Sequence, residues 1–172
     1  LRAEGHLDRL GLPADPRRPD ILLDLATCEV FGGRHAQAAR VLASLERECP
    51  PAPRSRAARR LLEVQARLEE CRRHPEAATG HLLRLSAEAR EAGDVGMAAR
   101  ALMRLACLQM DRGDNRGAET SVREAAEVLK DAGECGDQGC LELVRGRLLR
   151  KMGQVSEALE CLERALGLLT DP

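Results

Sequence analysis

The residues here that could do chemistry are few, and their spacing does not assemble them. His6, His35, His74 and His81 are scattered, and of seven cysteines only Cys71 stands near a histidine, three residues before His74. Cys135 and Cys140 lie five apart. A tetrahedral zinc site needs two such half-sites, and neither spacing has its second half. A Cys–His nucleophile needs a pocket and an orienting group, which nothing nearby supplies. No glycine run follows a strand, so no phosphate-cradling loop is expected. Acidic stretches such as Glu69-Glu70 and Glu88 read as helix surface. These residues predict neither catalysis nor a cofactor nor a metal, and the function has to come from the elements themselves.

Those elements are helical. Only Phe31 is aromatic, and Leu, Ala, Arg and Glu, all good helix formers, dominate the composition. Nothing alternates apolar and polar cleanly, so a sheet protein is excluded. With 27 basic and 28 acidic residues the net charge is −1, which gives no bulk field to attract nucleic acid. The basic cluster Arg54, Arg56, Arg59 and Arg60, with Arg72 and Arg73 beyond it, has no interleaved aromatics to stack bases and reads as a solvated helix start. No apolar run approaches the roughly 18 residues of a membrane span, and residues 1–20 are charged and loop-like, unlike a signal peptide. The absence of an initiator Met suggests a piece cut from something longer. An odd number of cysteines, mostly inside helical patterns, reads as reduced thiols in an intracellular protein, cytoplasmic or nuclear.

A forty-residue repeat organises the chain. Gly33, Gly113 and Gly153 share one register, whose fourth slot is Arg73 in the turn Arg72-Arg73-His74-Pro75. Five residues past each turn stand Ala38, Ala78, Ala118 and Ala158. Leu42, Leu82, Val122 and Leu162 follow, then Leu45, Leu85, Ala125 and Ala165. Upstream, Ala26, Ala66, Ala106 and Gly146 align, preceded by Leu22, Leu62, Leu102 and Glu142. Glu142 breaks the apolar pattern, and Leu141 and Leu143 are expected to cover for it. Small residues let two helices cross closely, Leu positions three and four apart make one stripe per helix, and the Gly closes the first helix in a left-handed cap.

First helices are therefore predicted near 20–31, 56–71, 96–111 and 138–152, and second helices near 35–48, 76–92, 115–131 and 155–169. Pro50, Pro51 and Pro53 break the first unit from the second. Further breaks fall at Gly93-Asp94 and over Gly133-Glu134-Cys135-Gly136-Asp137. The expected units are about 21–54, 55–94, 95–136 and 137–170. Residues 1–20, with Pro13, Pro16 and Pro19, are read as a loop or the end of a preceding helix.

These residues resemble the tetratricopeptide repeat, most closely its longer forty-residue variety. The last units carry the likeness best: Leu102-x-x-Leu105-Ala106…Gly113…Ala118…Ala125, and Gly146…Gly153…Ala158…Ala165-Leu166. The resemblance covers residues 21–170, and departs from the family in placing Leu or Cys where bulky aromatics are usual. It implies an all-α, right-handed superhelical array of about four helix-turn-helix repeats, with first helices lining a concave groove for a peptide or helix.

Projected onto this chain, the groove takes Leu23, Thr27, Val30 and Phe31 from the first unit. The second gives Arg60, Glu63, Arg67, Glu70 and Cys71. The third gives Arg100, Met103, Arg104, Cys107 and Met110, and the fourth Leu143, Arg147, Arg150 and Lys151. One end is apolar and the other basic, which implies an acidic or C-terminal segment with apolar anchors, since guanidinium pairs bidentately with carboxylate. The opposing expectation is a solvated arginine face salt-bridged to Glu63 and Glu70. The carboxylate clamp of the family's chaperone-binding members is matched only by half: Arg100 and Arg104 fit its third-unit bases, but Leu23 and Thr27 replace its Lys and Asn.

The expected function is a non-catalytic scaffold or adaptor that binds another protein, with no membrane partner. Two alternatives stay open: a regulatory or sensing segment of a larger enzyme or transcription regulator, and a nucleic-acid-binding helical repeat, which the charge balance argues against. The last helix, with Leu159, Leu162, Leu166, Leu168 and Leu169, carries more apolar surface than one neighbour covers. A further helix, a partner or self-association through that helix is expected to cover it.

Overall fold

The computed structural model describes residues 17–130 and 135–170. Among these, every regular element is a helix: α1 Arg18–Phe31, α2 His35–Glu48, α3 Arg56–Cys71, α4 Pro75–Glu91, α5 Val95–Asp111, α6 Asn115–Leu129, α7 Cys135–Lys151 and α8 Val155–Thr170. They follow the order and turn positions expected from the repeat, within one to three residues. The chain forms two compact units that divide inside α4, one up to His81 and one from Leu82.

The differences lie at helix ends. Pro19 was expected in a loop, yet it sits in the first turn of α1. The reason is that proline costs nothing there: its missing N–H has no intrahelical acceptor and its φ already suits a helix. Residues 1–16 of the expected N-terminal loop, with Pro13 and Pro16, fall outside the described residues, as do Gly133 and Glu134 of the last break, whose Cys135, Gly136 and Asp137 instead begin α7.

The turns carry the repeat in their backbone. Gly33, Arg73, Gly113 and Gly153 all adopt positive φ, at 71°, 61°, 79° and 81°. Each is followed by an amide that reaches back five residues: Arg34 N–H to the Glu29 carbonyl, His74 to Glu69, Asp114 to Gln109 and Gln154 to Leu149, all at 2.8 to 3.0 Å. This is the six-to-one bond that satisfies a carbonyl left over at a helix C-terminus. Gly93 (φ 71°) repeats it ahead of α5, with the Asp94 N–H on the Ala89 carbonyl. Side-chain caps then start three helices: Ser55, Asp94 and Asp114 accept from the amides of Ala58, Met97 and Gly117.

Reversal at these turns sets the apolar stripes face to face. In the first unit Leu22, Leu23, Ala26 and Val30 of α1 meet Ala38, Val41, Leu42 and Leu45 of α2, and α3 adds Leu61, Val64 and Leu68. In the second unit Leu102, Met103, Ala106 and Met110 of α5 meet Ala118, Val122, Ala125 and Leu129 of α6, and α7 adds Leu141, Val144 and Leu148. The register alanines Ala38, Ala78, Ala118 and Ala158 are all buried. In the α7–α8 pair the small residues are glycines. A Cβ on Gly146 would stand 2.9 Å from Leu162 Cγ, and one on Gly139 2.7 Å from Leu169 Cγ.

Glu142 needs a different cover from the one expected. Leu141 joins the core but Leu143 is exposed, and the Glu142 carboxylate accepts from Arg164 Nε at 2.9 Å. A half-buried carboxylate is better served by a guanidinium than by a leucine.

Arg73 tests the turn geometry. A side chain in the left-handed region costs about 1–2 kcal/mol, part of which glycine's extra freedom in the unfolded chain cancels. Urea denaturation should show Arg73→Gly stabilising by about 0.5–1 kcal/mol, whereas Gly113→Ala should destabilise by about 1 kcal/mol. Equal effects of the two substitutions would refute the role given to these positions.

Candidate functional site

In the first unit, α1 and α3 run side by side and build a depression of about 160 Å³. Thr27, Val30 and Phe31 line it from α1, and Arg60, Glu63, Val64 and Arg67 from α3. The groove residues expected of the first two units are thus largely brought together. Phe31 is the least covered large apolar residue described, 71% exposed, with the Arg67 guanidinium carbon 5.3 Å from its ring centroid. A cation over the ring face is attracted by the ring's quadrupole and holds the aromatic side chain in place without covering it. The Thr27 hydroxyl donates to the Leu23 carbonyl at 2.7 Å, so it is turned toward its own helix.

Arg60 is committed elsewhere. It donates to Asp20 at 2.9 Å and also to Asp24, both on α1. Partial burial is the largest single influence and opposes its charge, but the Asp24 and Asp20 carboxylates together outweigh it and raise its pKa.

In the second unit the expected bases join α5 to α7. Arg100 donates to Asp137 at 3.1 Å. Arg147 reaches Cys107 Sγ at 3.8 Å, a weak contact. Lys151 donates to the Met110 carbonyl at 2.5 Å, where a cation complements the negative end of α5. Arg104 and Cys107 are partly buried, and Leu143 and Arg150 are exposed.

Four of the expected groove residues are almost wholly covered. Leu23, Val30, Met103 and Met110 are buried in the cores of their units. A helix packed on two neighbours buries a stripe wider than one face, and these residues lie on its second edge. Arg60 and Arg100 take partners from Asp20, Asp24 and Asp137.

One feature was missed from the sequence. A depression of about 400 Å³ lies where α6, α7 and α8 meet, with Val122, Ala126, Leu148 and Met152 among its lining and Glu119 and Glu157 at its rim. The only signal for it was Leu148, Leu149 and Met152 in one helix end, an apolar run too broad for a single stripe.

Cys161 is buried, but Cys28, Cys71 and Cys140 are exposed, and all are free thiols. Among the described residues no group of three His, Cys, Asp or Glu side chains is placed to hold a metal ion, and His74 Nδ1 lies 2.7 Å from Glu69 Oε2. Nor, among the described residues, is any helix long and apolar enough to cross a membrane.

No protein-family model matches this sequence, and no curated protein matches it. Solved structures do share its fold. A crystal structure of BtubC (BKLC) from P. vanneervenii matches with a TM-score of 0.76, over 97% of this chain and 69% of that one, at 18% identity. At such identity the likeness establishes a common helical-repeat fold and leaves the function to be argued from the surface.

Burial pushes the Cys161 thiol upward, with the Glu142 carboxylate adding to the effect. Maleimide labelling at pH 8 followed by peptide mapping should modify Cys28, Cys71 and Cys140 in the folded chain and reach Cys161 only in denaturant. Prompt labelling of Cys161 in the native state would contradict the packing of α7 on α8.

Proposed function

We propose that this chain is a protein–protein interaction module of the tetratricopeptide-repeat kind, holding a partner's segment against the exposed faces of its first helices. The observation that carries the reading is the Phe31–Arg67 pair: a lone aromatic ring kept in solvent, with a guanidinium across its face, beside a depression of side-chain size. An aromatic and an arginine together are the residue types that anchor interfaces. An apolar side chain of the ligand would enter beside the ring and Val64, and a carboxylate of the same segment would pair with Arg67.

The distribution of charge narrows the ligand further. Arg60 and Arg100 already hold carboxylates of their own chain, so a ligand gains little from them without displacing Asp20, Asp24 or Asp137. Arg67 has the ring for its neighbour, and Arg147 only a distant sulfur. A segment with one apolar anchor and few acidic residues fits this surface better than a densely acidic one.

A peptide-display selection against the chain tests this. Enriched sequences should pair a bulky apolar residue with Asp or Glu, and Phe31→Ala or Arg67→Glu should weaken the winners at least about tenfold. Arg123→Glu, on α6 of the second unit, should leave them unchanged. Peptides that bind the Phe31→Ala chain as tightly as the native one would overturn the assignment.

A further inference from the structure

Helix directions order the charges around the depression at α6, α7 and α8. α5 and α7 run parallel, since Arg100 meets Asp137, Cys107 meets Arg147 and Met110 meets Lys151. α6 returns along α5, with Ser121 on Gln109, and α8 returns along α7, with Arg164 on Glu142. α6 and α8 are therefore parallel, and the depression they share with α7 has one end at which both begin. Glu119, the fifth residue of α6, and Glu157, the third of α8, stand exposed at that end. Arg145 lies seven residues before Met152 in α7, about 10 Å further along the axis. Its contact with Glu142 shows that it leans further still from the acids. Between the two ends the lining is apolar, with Val122, Ala126, Leu148 and Met152.

This polarity departs from the repeat. The residues forty before Glu142 and Arg145 are Leu102 and Leu105, which are 2% and 4% exposed, and Leu22 and Leu62 fill the Glu142 slot in the first two repeats. α7 thus gives up two leucines where it lines the depression. Glu142 is held by Arg164 at 2.9 Å and keeps Arg145 only loosely, at 3.8 Å, so the Arg145 side chain is 55% exposed. The exchange leaves a cation at one end of an apolar depression and two carboxylates at the other.

Continuing the array does not fill this site. A helix set on α7 and α8 as α7 is set on α5 and α6 would meet Leu143 and Leu169, the counterparts of Met103 and Leu129. Neither residue lines the depression. Its volume of about 400 Å³ suits one extended strand rather than a helix about 10–12 Å across. In an extended strand alternate side chains share a face, and residues four apart are separated by about 13 Å, which matches the reach from Glu119 and Glu157 to Arg145.

We propose that this depression binds an extended segment of another protein in which a basic, an apolar and an acidic residue occupy alternate positions. The base lies against Glu119 and Glu157, the apolar side chain against Ala126 and Met152, and the acid pairs with Arg145. The site falls wholly within the second unit and is independent of the Phe31 surface.

Three fluorescein-labelled peptides with otherwise uncharged sequences, centred on Lys-Ser-Leu-Ser-Asp, Lys-Ser-Leu-Ser-Lys and Glu-Ser-Leu-Ser-Asp, serve as probes. Titrated with the whole chain at low salt, the mixed-charge peptide should bind at least about fivefold more tightly than either other, by fluorescence anisotropy. Glu119→Lys/Glu157→Lys should transfer the preference to the doubly acidic peptide, and Arg145→Gln should erase the margin over the doubly basic one. Ala126→Gln, which fills the depression from an exposed helix position, should weaken all three while circular dichroism stays unchanged. The proposal fails if the mixed-charge peptide does not bind, if all three bind alike, or if its advantage survives Glu119→Lys/Glu157→Lys. It fails equally if the chain alone sediments as a dimer that Ala126→Gln disperses, which would give the depression to a second copy.

Discussion

A left-handed residue at the end of each first helix is the constraint on which the other features rest. Its positive φ turns the chain back, and the amide after it closes onto a carbonyl five residues earlier. Because the turn is three residues long and stereotyped, it fixes which residue of the returning helix lies opposite which residue of the first. Ala26 against Ala38 in the first unit, and Ala106 against Ala118 in the second, are consequences of that geometry. The close approach at Gly146 and Gly139 is its extreme form, where α8 leucines occupy the space a Cβ would need. Arg73 shows that the conformation is imposed by the hairpin and not merely permitted by glycine, since a residue with a Cβ is held there.

With the stripes committed to the core, the polar residues do the work of joining neighbouring first helices. They do it without a common rule. Arg60 reaches backward from α3 to Asp20 and Asp24, whereas Arg100, forty residues on, reaches forward from α5 to Asp137. Lys151 donates to the Met110 carbonyl at the C-terminal end of α5 and pairs more loosely with Asp111 of the same helix, 3.8 Å away. Exposed pairs of this kind contribute little to stability individually. Their larger effect is on recognition, because each satisfied base is one that a ligand can no longer claim cheaply. The surface left for a partner is therefore more apolar than a count of arginines suggests.

The same logic separates two kinds of exposed apolar surface. Around Phe31 an aromatic ring is held open inside a unit whose core is otherwise closed. On α8 the exposure comes from position: register sites buried by a following helix elsewhere have no such helix among the described residues. Its further exposed apolar residues, Val155, Leu159 and Leu166, stand where α6 carries Asn115, Glu119 and Ala126.

By itself the sequence determined the helical class, the forty-residue period, the turn positions and the inward-facing alanines. These follow from local rules: periodicity of 3.6 residues, helix-breaking prolines and the cap glycines act over a few residues and are written there directly. Even the odd slot, Arg73, was legible as a turn because its neighbours kept the register. Which edge of each first helix stays in water was decided only by tertiary packing. Leu23, Val30, Met103 and Met110 follow the same first-helix spacing as the exposed Phe31 and Arg67, and burial depends on a second neighbouring helix that no local pattern announces. Partner choice for Arg60 and Arg100 was likewise settled in three dimensions, because side-chain reach across thirty-six to forty residues depends on how the helices lie beside one another. The histidines and thiols that could do chemistry stay scattered in the fold, whereas one ring and one guanidinium, thirty-six residues apart in the chain, are brought together by the packing of α1 on α3.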